Sequence, residues 1–198
     1  MLALVLTAGA CGADTDMTRE GEGAMIRAAD PLALAAPGPV IEYPMSKYGG
    51  SGGSPVSPLN TAMIVGLQLN TGRLVDRLNV YWYGASEDNT RQVDQPIRDL
   101  NFLSQIGGDG GGTNYTQWCP ENFVAVGIQG RAGDQVDALG LICGNLDNTD
   151  ETYATAVYGG TGGKPFHSVC APGFAMTGLD LRSGSLVDSI RGICHRLK

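Results

Sequence analysis

Apolar and polar residues alternate along three stretches of the chain, Ala62–Trp82, Phe123–Cys143 and Phe174–Cys194, each broken midway by a turn that contains glycine. A period of two marks a half-buried strand, so each stretch predicts two strands joined by a tight turn. In the second strand of the first stretch, Asp76, Leu78, Val80 and Trp82 fall on one face and Val75, Arg77, Asn79 and Tyr81 on the other. The turns Asn70–Arg73, Arg131–Asp134 and Arg182–Ser185 each hold a glycine, which supplies backbone angles that other residues resist. A Gly-Gly-x-Gly-Gly loop lies ahead of each hairpin, at Gly49–Gly53, Gly107–Gly111 and Gly159–Gly163. A further extended stretch precedes each loop: Val40–Tyr48, Asn101–Ile106 and Tyr153–Tyr158.

The three segments are repeats. Aligned on Asp76, Asp137 and Asp188, the residue just before is always valine, at 75, 136 and 187. Four positions before the aspartate stands Gly72, Gly133 or Gly184, and ten positions before stands Gly66, Gly127 or Gly178. Self-similarity of this kind means that one supersecondary unit is stacked on copies of itself. The units run over about 49–106, 107–158 and 159–198. The last is short and lacks the strand that should follow Cys194, whereas a surplus strand precedes the first unit, within residues 39–48. The N-terminal strand is therefore expected to close a ring against the C-terminus, which removes exposed sheet edges. The implied object is an all-β, three-sheeted prism with pseudo-threefold symmetry.

Composition narrows the function. The chain has 198 residues, 30 of them glycine, a formal net charge of −7 and only 17% charged side chains. No Gly-X-Y period occurs, so collagen is excluded. An acidic balance without a Lys/Arg cluster argues against nucleic acid as a partner. No apolar run is long enough to span a bilayer as a helix. With 2 histidines and no Cys-x-x-Cys spacing, the chain offers little for metal or triad chemistry. Phosphate loops, Gly-x-Ser-x-Gly and His-Glu-x-x-His are absent, and the reading is a non-enzyme without metal or cofactor. His167 and His195 share no spacing and read as surface or turn residues.

Cys119 and Cys143 are 24 positions apart, as are Cys170 and Cys194, at equivalent places in two repeats. In the first repeat those places hold Pro58 and Trp82, so both cysteines are missing together. Bonded partners behave this way, and the expected disulfides are Cys119–Cys143 and Cys170–Cys194, with Trp82 filling the space of a bridge. Cys11 is left over. Disulfides suit an oxidising compartment. The apolar residues 1–10, ending at Leu6-Thr7-Ala8-Gly9-Ala10-Cys11, resemble a bacterial lipoprotein signal. That resemblance implies export, lipidation of Cys11 and attachment at the cell surface or outer membrane. Residues 11–38, rich in Ala, Gly and Asp, read as a flexible tether to a domain at 39–198.

The Gly-Gly-x-Gly-Gly loops, the Trp118-Cys119-Pro120 lead into a strand and the Gly-x-x-x-Asp turns together resemble two families of β-prism I proteins. The paired cysteines are similar to those of vitelline membrane outer layer proteins, and the turns with their Gly-Gly loops to jacalin-type lectins. Both resemblances imply β-prism I, built of Greek-key-like sheets. The lectin resemblance implies a glycan partner held between one turn and the next repeat's loop. It joins Gly133, Asp134 and Asp137 with Gly159 and Gly160. It joins Gly184, Ser185 and Asp188 with Gly49 and Gly50, and Gly72 and Asp76 with Gly107 and Gly108. A carboxylate can accept bonds from vicinal hydroxyls, and glycine lets a sugar approach the main chain. The first set is preferred, since Asp134 adds an acceptor. Tyr48 and Tyr158, each directly before a loop, are candidate stacking platforms for sugar rings. The alternative is a structural or adhesive outer-layer protein in which the aspartates only satisfy turn amides.

Overall fold

A computed structural model of the chain describes residues 42–56, 63–83, 106–148 and 150–196. The expected signal, Cys11 and the tether lie outside the described residues, as do Pro58 and most of Asn101–Ile106. The described residues fall in the compact unit Pro39–Lys198.

The three alternating stretches form three long antiparallel hairpins. They are β4 (Met63–Thr71) with β5 (Val75–Tyr83), β8 (Phe123–Ala132) with β9 (Val136–Asn145), and β13 (Phe174–Ser183) with β14 (Val187–Arg196). Shorter strands flank them: β1 (Glu42–Pro44), β2 (Tyr48–Gly49), β3 (Ser54–Val56), β6 (Ile106–Gly107), β7 (Thr113–Trp118), β10 (Thr152–Ala154), β11 (Tyr158–Gly159) and β12 (Lys164–Val169). One sheet runs β6-β5-β4-β7 and a second β10-β9-β8-β12, with β11 also on β9. The third runs β1-β14-β13-β3, with β2 also on β14. In the first two, the chain leaves the hairpin, lines its second strand and returns beside its first, which is a Greek key; in the third, the N-terminal strands β1, β2 and β3 take the same places. The fold is the β-prism expected from the sequence.

Ring closure holds. Glu42, Tyr43 and Pro44 pair with His195, Cys194 and Ile193, so residues from both ends of the domain share one sheet. The sequence repeat, however, is not the sheet. Each Gly-rich loop and the strand after it complete the hairpin of the preceding repeat: β7 lies on β4, β12 on β8 and β3 on β13. Those three strands have no clear sequence signal. They are mostly exposed edge strands, and Pro55 and Pro165 sit where an edge tolerates a missing N–H.

The first strands of the three hairpins pack on one another at the centre. Leu67, Ile128 and Leu179 occupy equivalent core positions, as do Leu78, Leu139 and Ile190, all fully buried. Where two repeats have Leu69 and Leu181, the second has Gly130, and the Phe166 ring takes the space: a Cβ on Gly130 would lie 3.0 Å from its tip. Val75, assigned by alternation to the face opposite Leu78, is instead in the core beside it, as are Val136 and Val187. The cause is a break in the ladder at the residue that follows each valine.

Both disulfides form as expected, Cys119–Cys143 and Cys170–Cys194. They join sheets, not strands of one sheet. The Cys119 amide donates to the Val65 carbonyl of β4 and its sulfur bonds to β9; the Cys170 amide donates to Val126 of β8 and its sulfur bonds to β14. Trp82, at the equivalent place in β5, packs against the core.

Candidate functional site

The ladder break places the three aspartates. Asn70 pairs with Arg77 and Thr71 with Val75, which leaves Asp76 unpaired; Asp137 and Asp188 are skipped in the same way. Such a bulge re-aims the extra residue and frees its carbonyl. The freed carbonyls accept from the loops: Gly108 N–H on Asp76 (2.9 Å), Gly160 N–H on Asp137 (2.8 Å) and Gly50 N–H on Asp188 (2.9 Å). All three turn–loop pairings expected from the sequence are therefore present in the fold.

The side chains of the aspartates face the second glycine pair of the same loops. A Cβ on Gly53 would lie 2.5 Å from Asp188 Oδ2, one on Gly163 2.5 Å from Asp137 Oδ2, and one on Gly111 2.7 Å from Asp76 Oδ2. The first glycine of each loop has a φ between +100° and +136°, at Gly49, Gly107 and Gly159, where any side chain would also strike the aspartate's main chain. Each loop also reaches a second turn. Gly50 lies on the Asp134 main chain, Gly108 on Ser185 and Gly160 on Arg73. Asp134 thus borders two sets: it belongs to the turn of Asp137, and its backbone rests on the loop of Asp188. Turns and loops alternate in a closed ring at this end of the prism.

Exposure within the ring is uneven. Asp137 and Asp188 are each 8% exposed, whereas Gly133, Asp134, Gly184, Ser185, Gly72 and Arg73 are exposed. What the ring offers a ligand is therefore glycine backbone and turn residues, with carboxylates set behind them.

Two arginines complete the arrangement, and sequence reasoning missed them. Arg131 Nε and Nη2 donate to the carbonyls of Gly162 (2.6 Å) and Gly163 (2.8 Å). Arg182 does the same to Gly52 (2.7 Å) and Gly53 (2.6 Å). Both stand six residues before their aspartate, a repeated offset that could have been read, but the first repeat has Asn70 there. In that repeat Arg77, from the opposite strand, donates to the Gly108 carbonyl (3.0 Å) and pairs with Asp109.

Tyr48 and Tyr158 are not free platforms. Tyr48 stacks on Phe166 with centroids 4.1 Å apart and Tyr158 on Tyr115 at 4.0 Å, so a face of each ring is already covered by the fold. Each aromatic partner follows a Gly-rich loop, and this pairing bridges repeats. His167 is exposed, and His195 meets the Thr177 hydroxyl. Among the described residues no His, Cys, Asp and Glu cluster suits a metal ion.

Three Greek-key sheets around a pseudo-threefold axis, with turns and glycine loops meeting at one end, define a β-prism I protein. Solved structures share that fold. The chain is similar to a mannose-binding jacalin-related lectin from Ananas comosus (20% identity, TM-score 0.57, 80% of this chain and 99% of that one). It is also similar to Calystegia sepium agglutinin (20% identity, TM-score 0.58, 79% and 98%). A mannose-specific jacalin-related lectin from Morus nigra, solved with mannose, matches at 20% identity and TM-score 0.56 over 80% and 95%. No protein-family pattern and no curated protein matches the sequence.

Proposed function

We propose that the chain is a non-catalytic carbohydrate-binding domain, with hexoses of the mannose type as its first candidate ligands. The observation that carries this is the join of each bulged aspartate to a Gly-Gly pair from the next repeat. Main chain free of side chains lies beside a carboxylate there, and exposed turn residues complete the rim. Vicinal hydroxyls can donate to such a carboxylate while their oxygens accept from main-chain amides. The sugar specificity of the fold neighbours points to mannosides as the first probe.

A glycan array with the domain, run beside the variant Asp137→Asn, Asp188→Asn, tests the proposal. Asparagine keeps the shape of the side chain but loses its charge and one acceptor. Binding by the native domain and at least about tenfold weaker binding by a folded variant is the expected result, since hydrogen bonds to a charged group are each worth roughly 1.5–3 kcal/mol. Equal binding by both proteins would remove the aspartates from the site.

A structural outer-layer role is the second reading. The burial of Asp137 and Asp188 and their close fit to glycine favour it, because a carboxylate with that packing already serves the fold. An array with no signal from a folded native domain would leave this reading standing.

We also propose that the domain is exported and held at the cell surface through a lipid on Cys11. Cys11→Ser is expected to move the protein from the membrane fraction to the soluble exported fraction. Unchanged membrane attachment of that variant would exclude the anchor.

A further inference from the structure

The geometry points to two working sites, not three, with Arg131 and Arg182 as the positioning residues that ready them; this rests on the carbohydrate reading above. The argument begins with the loops. A glycine-rich segment is the most entropically costly backbone to hold in one shape, and a sugar that had to order it on binding would lose affinity to that cost. In two of the three loops the cost is met within the fold. The guanidinium of Arg131 spans the carbonyls of Gly162 and Gly163, and that of Arg182 spans Gly52 and Gly53. Two bonds from one rigid planar group fix both position and tilt of a peptide pair. The pair so held is the one against which the Asp137 or Asp188 carboxylate rests.

The third junction differs at each of these points. Asn70 stands in the arginine's place, too short for the same span, and its buried Oδ1 has no hydrogen-bond partner among the described residues. The loop is one residue longer, with Gly112 following Gly111 before β7. Arg77 reaches the other end of this loop, at Gly108, and its ion pair is with an Asp109 side chain that is 87% exposed. An exposed pair of this kind holds a loop weakly. Asp76 Oδ2 also already accepts the Gly72 N–H at 3.2 Å, an acceptor that Asp137 and Asp188 retain among the described residues. A loop held by a single guanidinium bond at Gly108 in place of a two-carbonyl fork, and a carboxylate that already shares the Gly72 N–H with the Leu74 carbonyl, make the Asp76 junction the weaker receiver of hydroxyls.

NMR titration of the folded domain with methyl α-mannopyranoside tests this. Amide signals of the loops 159–163 and 49–53 are expected to shift with saturating curves, while those of 107–111 stay in place. Arg131→Ala is expected to weaken the curve of the 159–163 loop about tenfold and leave that of 49–53 unchanged, with Arg182→Ala giving the reverse. Arg131→Lys, which keeps the charge but not the fork, should fall between the native protein and the alanine variant. A third loop titrating like the other two would overturn the count of two. Arginine variants that lose thermal stability but bind as tightly as before would reduce the clamps to scaffolding. A native domain in which no loop responds overturns the mannoside-binding reading itself, a result distinct from three equal curves.

Discussion

Reduction of the two disulfides is expected to lower the melting temperature of the domain by roughly 6–12 °C per bridge, with the two effects additive. Each bridge closes a loop of 24 residues, for which chain entropy gives about 3 kcal/mol. In a domain of this size each kcal/mol moves the midpoint by about 2–4 °C. Additivity follows from placement. One bridge ties β7's end to β9 and the other ties β12's end to β14, so they fasten different pairs of sheets, with only the second sheet in common and no residue shared. Removal by paired Cys→Ala substitution also separates chain entropy from packing, because Cys143 and Cys194 lie in the core at 0% and 1% exposure. Thermal unfolding with and without reductant is the measurement. A shift of under about 2 °C for the fully reduced protein would show that sheet packing alone holds the prism.

Removal of the N-terminal segment up to Lys47 is expected to have the larger consequence, a domain that unfolds or associates further than the native one. Pairing of Glu42–Pro44 with β14 is what makes β14 an interior strand. The Met45 amide donates to the Gly192 carbonyl at 2.9 Å, and its side chain packs against the core. Met45 is half-buried, so its loss alone forfeits less than the roughly 1.5–3 kcal/mol of a fully buried side chain. The deletion further leaves the backbone of residues 192–195 as an unpaired edge, a template for another chain. Size-exclusion chromatography and hydrogen exchange over Val187–Arg196 read the outcome. A truncated domain that elutes as the native one does, with protected amides in β14, would show that ring closure is dispensable.

Both predictions concern contacts between segments far apart in the chain, and there the sequence was legible only in part. The hairpins were plain, because period-two alternation and a glycine turn are local and occur three times. Disulfide partners were plain for a related reason: the first repeat lacks both cysteines at once. By contrast, β3, β7 and β12 escaped notice. Edge strands bury little, so Ser54–Val56 and Thr113–Trp118 carry no strong apolar pattern. The tyrosines before the loops were legible as aromatic but not as occupied, since Phe166 and Tyr115 meet them from another repeat.

For the candidate site, the sequence by itself determined the residues that matter locally: three aspartates at fixed distance from a glycine turn, and the loops that accompany them. It also determined which loop partners which turn, since the repeat order imposes it. Tertiary structure decided the rest. Only the ladder shows that each aspartate is the extra residue of a bulge, which releases its carbonyl to a loop amide. Only the folded ring puts Arg73, Asp134 and Ser185 against the loops of other repeats, and only there do Arg131 and Arg182 become clamps on glycine carbonyls. The physical reason is that alternation reports burial of a face, a property of each strand alone. A hydrogen bond between a side chain and a distant carbonyl depends on where two segments meet, and no local pattern carries that.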